Sequence, residues 1–218
     1  MGFERFAPVE RRIDINGRPL SVWRPPDMEA LIDLVAFDED ERIPYWADVW
    51  ESAIVLAEEL AAVDGTGQTL LELGCGLGLP ALAAARAGFA VTATDYESPA
   101  LEGVRFSAAR NGLDTIATRE LDWRKLPADL GRYDRVVAAD VLYESHHPAA
   151  LADVIARTLK PDGLALVADP CRQKAAGLLL DDPQARGAGL GIIKQQARRP
   201  RGATDGPAVE IYCVTFPS

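Results

Sequence analysis

Five acidic residues recur at one kind of place in this chain of 218 residues. Glu72, Asp95, Asp122, Asp140 and Asp169 each stand at or near the end of a short run of strand character. A lone acid after a strand is as readily a helix cap as a ligand. Five in succession point instead to one shared site, because ligands of open α/β sheets lie at the carboxyl ends of the strands. Glycines follow Glu72 at 74, 76 and 78, and Pro80 and an alanine-rich run come next. A strand that turns through glycines into a helix N-terminus cradles a ligand, since it offers backbone N–H groups without side chains in the way. An acid on the following strand, Asp95, suits the hydroxyls of a ribose.

The spacing narrows the ligand. It reads G-x-G-x-G, and Leu79 stands where a dinucleotide fingerprint has its third glycine or an alanine. No lysine follows the loop in the way a P-loop requires. Cys75 has no basic neighbour to lower its thiol pKa, so it serves through its backbone.

These residues need elements to hold them. Isoleucines alternate with polar residues over 12–24 around Asn16-Gly17, which predicts a hairpin. A helix is expected over 27–35 and an acidic loop over 38–41. The segment 43–50, IPYWADVW, is read as the start of a helix running to 62, with Trp46 and Trp50 on one face. Strand and helix then alternate: strands over 69–73, 90–94, 115–121, 135–139 and 164–168, helices over 79–87, 98–110 and 148–159. Residues 160–163 are expected to close the last of these helices. A further helix is expected over 172–180, and two final strands over 191–198 and 209–216. This pattern predicts an α/β, Rossmann-like, doubly wound and mostly parallel sheet ending in an antiparallel hairpin. Residues 1–42 are expected as a small hairpin-and-helix extension, and 43–218 as the main domain.

Composition excludes several roles. A net charge of -10 argues against nucleic acid as a partner. Lys194, Arg198, Arg199 and Arg201 form a basic cluster, read as a solvated loop. No apolar run is long enough for a membrane, and the N-terminus lacks a secretory core. Three widely spaced cysteines give neither a disulfide framework nor zinc spacing, so a reducing cytoplasm is expected. His146 and His147 are adjacent and do not share a helical face, so no metal site is expected.

The motif ELGCGLG with Asp95 resembles that of class I, seven-strand S-adenosylmethionine (SAM)-dependent methyltransferases. The segments PYWADVW, LDW at 121–123 and ADVLY at 139–143 are similar to the protein lysine methyltransferases marked by an Asp-x-x-Tyr motif. Asp169-Pro170-x-Arg172 resembles a segment of the subgroup that methylates the β subunit of electron transfer flavoprotein. The likeness covers about residues 43–168. It implies a seven-stranded sheet, SAM as cofactor and S-adenosylhomocysteine as product. It implies that Gly74, Cys75, Gly76 and Gly78, with the helix start after them, meet the SAM carboxylate, and that Glu72 sits near the methionyl part. Asp95 would hold the ribose and Tyr96 would lie beside the adenine. Asp122 would accept from the adenine amino group, and Trp123 would cover the ring. Trp46 or Trp50 would close the opposite side, with Ala139 also at the cofactor. Asp140 and Tyr143 would be the catalytic pair, orienting a lysine amine. The expected partner is a protein bearing that lysine, without nucleic acid or membrane, and a monomer is favoured. The alternatives are a small-molecule or other side-chain acceptor, or a non-catalytic SAM-binding protein.

Overall fold

The computed structural model describes residues 2–28, 31, 43–144, 146–170 and 189–216, with backbone alone at 193–195. The hairpin forms as expected, from β1 (Val9–Ile15) and β2 (Arg18–Arg24). Asn16 and Gly17 carry φ of 55° and 80°, the two left-handed residues that a tight I′ turn demands. Asp14 Oδ1 accepts the Gly17 N–H at 2.8 Å and fixes that turn. Alternation sends Ile13, Ile15, Leu20 and Val22 to one buried face. The hairpin joins the main core, since those residues belong to the same apolar cluster as the helices beside it.

After α1 (Glu51–Leu60), strands and helices alternate as β3 (Thr69–Leu73), α2 (Leu79–Arg86), β4 (Ala90–Asp95), α3 (Ser98–Arg110) and β5 (Ala117–Glu120). Next come β6 (Tyr133–Ala139), α4 (His147–Thr158), β7 (Leu159–Asp169), β8 (Gly191–Arg198) and β9 (Val209–Thr215). They form a seven-stranded sheet in the order β5-β4-β3-β6-β7-β9-β8. Strands β3 to β7 pair in parallel, and β9 lies antiparallel between β7 and β8. The chain leaves β3 in one direction through β4 and β5, then returns to its other side as β6. That reversal opens a crevice above the ends of β3 and β6.

Both sheet faces are covered. Leu70 faces the cluster of α1, α2 and α3, whereas Leu71 and Leu73 alternate toward the α4 side. Val137 and its neighbours Val136 and Ala138 divide in the same way. Burying a leucine fully stabilises by about 1.5–3 kcal/mol, so this central pair of strands anchors the site above it.

Three expectations change. Residues 43–50 do not begin a long helix: Tyr45–Ala47 makes one 3-10 turn and the chain extends through Asp48 and Trp50 before α1. Asp48 Oδ1 accepts the Val49 N–H at 2.8 Å, a local bond that competes with helix propagation. Residues 160–163 do not lie outside the strand as a turn. The register steps from Tyr133↔Leu159 to Arg135↔Leu164, so they bulge within β7. The basic cluster is not simply solvated. Arg198 donates to Glu58, which is buried, and to the Val55 carbonyl, and the Arg201 N–H donates to the other Glu58 oxygen at 2.9 Å. The helix expected over 172–180 lies outside the described residues, as does most of that over 27–35.

Candidate active site

Gly74, Gly76 and Gly78 all take left-handed φ, of 63°, 49° and 72°. A Cβ at Gly74 would come 2.9 Å from Val141 Cγ1, and one at Gly76 would come 3.3 Å from the Trp46 carbonyl. Only glycine lets the loop pass this close to its walls. The Gly76 N–H donates to Asp95 Oδ2 at 2.9 Å, and the Cys75 N–H donates to the Thr94 carbonyl at 2.9 Å. Loop and following strand are therefore one unit. Burial, with Asp95 and Glu72 nearby, pushes the Cys75 thiol well up, so this cysteine is no nucleophile.

Glu72 lines the cleft and also braces the next helix. Its Oε2 accepts the Ala81 N–H at 2.9 Å, in the first turn of α2. Pro80 has no N–H to offer. The start of α2 is thus already occupied by the protein's own carboxyl group and does not present Ala81 to a ligand carboxylate. Burial raises the Glu72 pKa well above the ordinary range, although the Ala81 N–H works against it and Asp95 adds to the rise.

Asp95 ends β4 beside the loop and is buried. Desolvation raises its pKa to about 6, against the N–H groups of Glu97 and Gly76 that favour the anion. Tyr96, next to it, is exposed. Across the cleft Asp122 is held by Arg124, whose Nε donates to Oδ1 at 2.9 Å and whose second nitrogen donates to Oδ2 at 3.0 Å. That contact holds Asp122 below the usual carboxylate range. Trp123 extends beside it, 3.6 Å from where a Gly74 Cβ would stand.

The two tryptophans separate. Trp46 is buried, with its ring 5.6 Å from Phe6 and 6.5 Å from Phe3. It meets the loop through its backbone. Trp50 is the more exposed ring; its Nε1 donates to the Tyr45 carbonyl at 3.0 Å.

Asp140 follows β6 with φ of 58°, left-handed and costly for most residues but tolerated by Asp. Its N–H donates to the Ala168 carbonyl at 2.9 Å, which fixes the turn. Strained backbone of this kind persists where surroundings enforce it, often at functional sites. Tyr143 packs 5.5 Å from Tyr45 and 4.8 Å from His147. Burial first, then nearby Tyr96 and Asp95, raise its pKa, so its hydroxyl keeps its proton.

Sequence reasoning did not assign His147 or Tyr45 to the site. His147 Nδ1 lies 2.8 Å from the Val141 carbonyl. A carbonyl only accepts, so Nδ1 carries the proton and Nε2 is left as an acceptor. Its ring also lies 5.9 Å from that of Trp123. Trp50, Tyr45, Tyr143, His147 and Trp123 thus form a chain of ring contacts. His146 caps α4 instead of lying on it, so the argument from helical faces does not hold. Nitrogens of both histidines and a Glu144 oxygen come within 4.8 Å of one another.

The fourteen residues assigned to the site from the sequence line one cleft of about 600 Å³, whereas Asp169, the fifth strand-end acid, is buried and is not among the lining residues. The fourteen are Trp46, Trp50, Glu72, Gly74, Cys75, Gly76, Gly78, Asp95, Tyr96, Asp122, Trp123, Ala139, Asp140 and Tyr143. The volume is in the range of small-molecule sites.

Residues 33–180 match a family described as lysine methyltransferase. The chain belongs to that lysine methyltransferase family. Among its relatives is the protein N-lysine methyltransferase METTL21A of Danio rerio, 37% identical over 121 residues, 51% of this chain and 55% of the relative. The ubiquinone biosynthesis O-methyltransferase of Caulobacter vibrioides is 38% identical over 103 residues, 47% of this chain and 40% of the relative. The protein-lysine N-methyltransferase rrg1 of Schizosaccharomyces pombe is 26% identical over 140 residues, 57% and 46% of the two chains. The chain spans about half the length of the curated relatives it matches. Among solved structures, the glycopeptide N-methyltransferase MtfA complexed with SAM gives a TM-score of 0.59 at 16% identity, over 76% of this chain and 87% of that one. The [4+2]-cyclase SpnF gives 0.59 at 20% identity, over 77% and 81%. One fold therefore hosts different chemistries, and the family match outweighs the likeness of shape.

Proposed function

We propose that this chain is a SAM-dependent methyltransferase acting on a lysine side chain of a protein. One observation carries the reading: the glycine loop, Asp95 and the Asp140–Tyr143 turn converge on one cleft at the reversal of the sheet. Membership of the lysine methyltransferase family supports it, as do relatives named as protein lysine methyltransferases.

The residues fit the cofactor. Left-handed Gly74 and Gly76 let the loop close on Val141 and the Trp46 backbone at the floor of the cleft. A buried acid stands beside them, and Tyr96, Trp123 and Trp50 supply rings. When bound, SAM supplies a methyl group on a sulfonium that leaves as a neutral thioether. The chain's own residues bind and align. Asp95 accepts from ribose hydroxyls, and Trp50, Tyr96 and Trp123 enclose the adenine, with Asp122 beside it. Glu72 braces the loop through Ala81. Asp140 accepts from the amine and orients it. Tyr143 keeps its proton, so it donates and packs but takes no proton. The lysine must lose a proton from an ordinary pKa of about 10.4, which a dry, aromatic-walled cleft assists by disfavouring the ammonium. Holding the nitrogen about 3–3.5 Å from the methyl carbon supplies much of the remaining rate.

In this reading residues 43–218 form the methyltransferase domain, and the hairpin of β1 and β2 packs on it as part of the 1–42 extension. Cys75 is a buried free thiol, which suits a reducing cytoplasm. A second reading, a small-molecule acceptor, draws on the Caulobacter vibrioides O-methyltransferase relative.

Incubation with labelled SAM and a cell extract, followed by mass spectrometry, separates the two. Label on a protein lysine is expected; label confined to small molecules would reverse the choice. Asp140→Asn is the sharper variant, because Asn also tolerates left-handed φ. It should lower methyl transfer by at least about tenfold while SAM binding by calorimetry stays unchanged. Unchanged transfer removes Asp140 from its role.

A further inference from the structure

The mouth of the cleft has its own chemistry. Among the described residues six large apolar side chains are exposed: Val9, Ile43, Tyr45, Val63, Tyr96 and Tyr143. Four of the six, Ile43, Tyr45, Tyr96 and Tyr143, line this one cleft. Apolar residues scattered singly over a surface mean little, whereas a cluster at one opening marks a contact surface. Tyr96 belongs with the cofactor half. Ile43 and Tyr45 are tied by the bond from the Tyr45 N–H to the Ile43 carbonyl at 2.8 Å, and the Tyr45 ring reaches that of Tyr143. These three form an apolar lip across the opening from the 43–47 segment to the turn after β6.

Among the described residues the charge around that lip is mostly of one sign. Asp48, Glu97, Asp140 and Glu144 line the cleft, in addition to Glu72, Asp95 and Asp122 deeper in it. Among the described residues Arg124 is the one lysine or arginine in the lining, and it is held on Asp122. Asp48 has Arg11 at 3.1 Å, from outside the lining, and Glu144 has the His146 ring at 3.5 Å, so among the described residues no lysine or arginine side chain lies within salt-bridge distance of Glu144 at the mouth. Cations approaching such a rim are steered in, and anions are turned away.

We infer that the mouth selects a target lysine set in a basic protein segment with a bulky apolar residue beside it. This rests on the protein-lysine reading above. The basic neighbours of the target lie against Glu144, and the apolar neighbour covers Ile43 and Tyr45. An acidic segment brings like charges together, so the rim rejects as well as attracts.

The test measures binding apart from transfer. Short fluorescent peptides carrying one central lysine are titrated with the full chain in the presence of S-adenosylhomocysteine, and anisotropy is read. Their flanks are lysine with leucine, glutamate with leucine, or lysine with serine. The lysine–leucine peptide should bind about tenfold tighter than the glutamate–leucine peptide at low salt, and about 0.5 M salt should shrink the gap. Glu144→Gln should narrow the charge preference and Ile43→Ser the leucine preference, each with S-adenosylhomocysteine binding unchanged. Equal affinity for all peptides, saturable binding of none, or tighter binding of a free polyamine overturns the inference. Methyl transfer to the same peptides reports separately. Selective binding without transfer upholds the mouth and sinks the lysine reaction; transfer without selectivity sinks only the inference.

Discussion

At the scale of single residues, the site is governed by carboxyl groups that burial treats differently. Asp122 is half-exposed and held by Arg124, so it stays anionic. Asp95 is buried, and its pKa rises to about 6 from 3.8. The folded protein therefore keeps a proton that the unfolded chain has lost between those values. The contribution of Asp95 to stability is fully present below 3.8 and is lost as pH rises through about 6. Cofactor binding should follow the opposite course, because only the anion accepts from both ribose hydroxyls. SAM affinity, measured by calorimetry, should rise about tenfold between about pH 5 and about pH 7. Asp95→Asn should bind more weakly and lose that slope. A wild-type affinity that is flat over the interval would detach Asp95 from the ribose.

At the scale of elements, two carboxylates join pieces that the chain keeps apart. Glu72 joins the end of β3 to the first turn of α2. Glu72→Ala should destabilise by about 2–4 kcal/mol in urea unfolding, from a cavity and an unpaired N–H. Glu72→Gln keeps an acceptor for Ala81 and should cost under about 1 kcal/mol. Equal losses would mean that volume alone matters there. Glu58 on α1 receives Arg198 from β8 and the Arg201 N–H from the connection to β9. Arg198→Ala leaves a buried carboxylate short of its cation, and should cost about 3–5 kcal/mol. Adding Glu58→Gln should restore part of that, measurable as a coupling in a double-mutant cycle.

At the scale of the whole molecule, the cleft exists because the chain reverses direction in the sheet. The fourteen residues come from the 43–50 segment and the ends of β3, β4, β5 and β6. A ligand seated there bridges both halves of the sheet and stabilises the fold by mass action. SAM at 100 times its dissociation constant adds about 2.7 kcal/mol, or about 5–10 °C in melting temperature for a chain of this size. S-adenosylhomocysteine should behave alike, and NAD should give no shift. A shift with NAD alone would return the loop to the dinucleotide class.

Much of this was legible in the linear chain, for local reasons. Glycines at 74, 76 and 78, the alternation of β3 and the Asn16-Gly17 turn depend on backbone sterics and period, which sequence carries directly. Four of the five strand-end acids, the order of elements and the identity of the loop needed nothing more; Asp169 is buried away from the cleft lining. What the sequence could not decide were contacts between distant parts. Trp46 and Trp50 look equivalent at four residues apart, until Asp48 interrupts the helix and Phe3 and Phe6 claim one ring. That Glu72 also holds the Ala81 N–H at the start of α2 shows only once the helix is packed over it. His147 reads as half of an uninformative pair until Val141 fixes its proton and Tyr143 and Trp123 flank it. Arg198 reads as solvated until α1 brings Glu58 across 140 residues. Short-range sterics determine which element forms where. Long-range packing decides which polar groups are already satisfied, and so which remain available to a ligand.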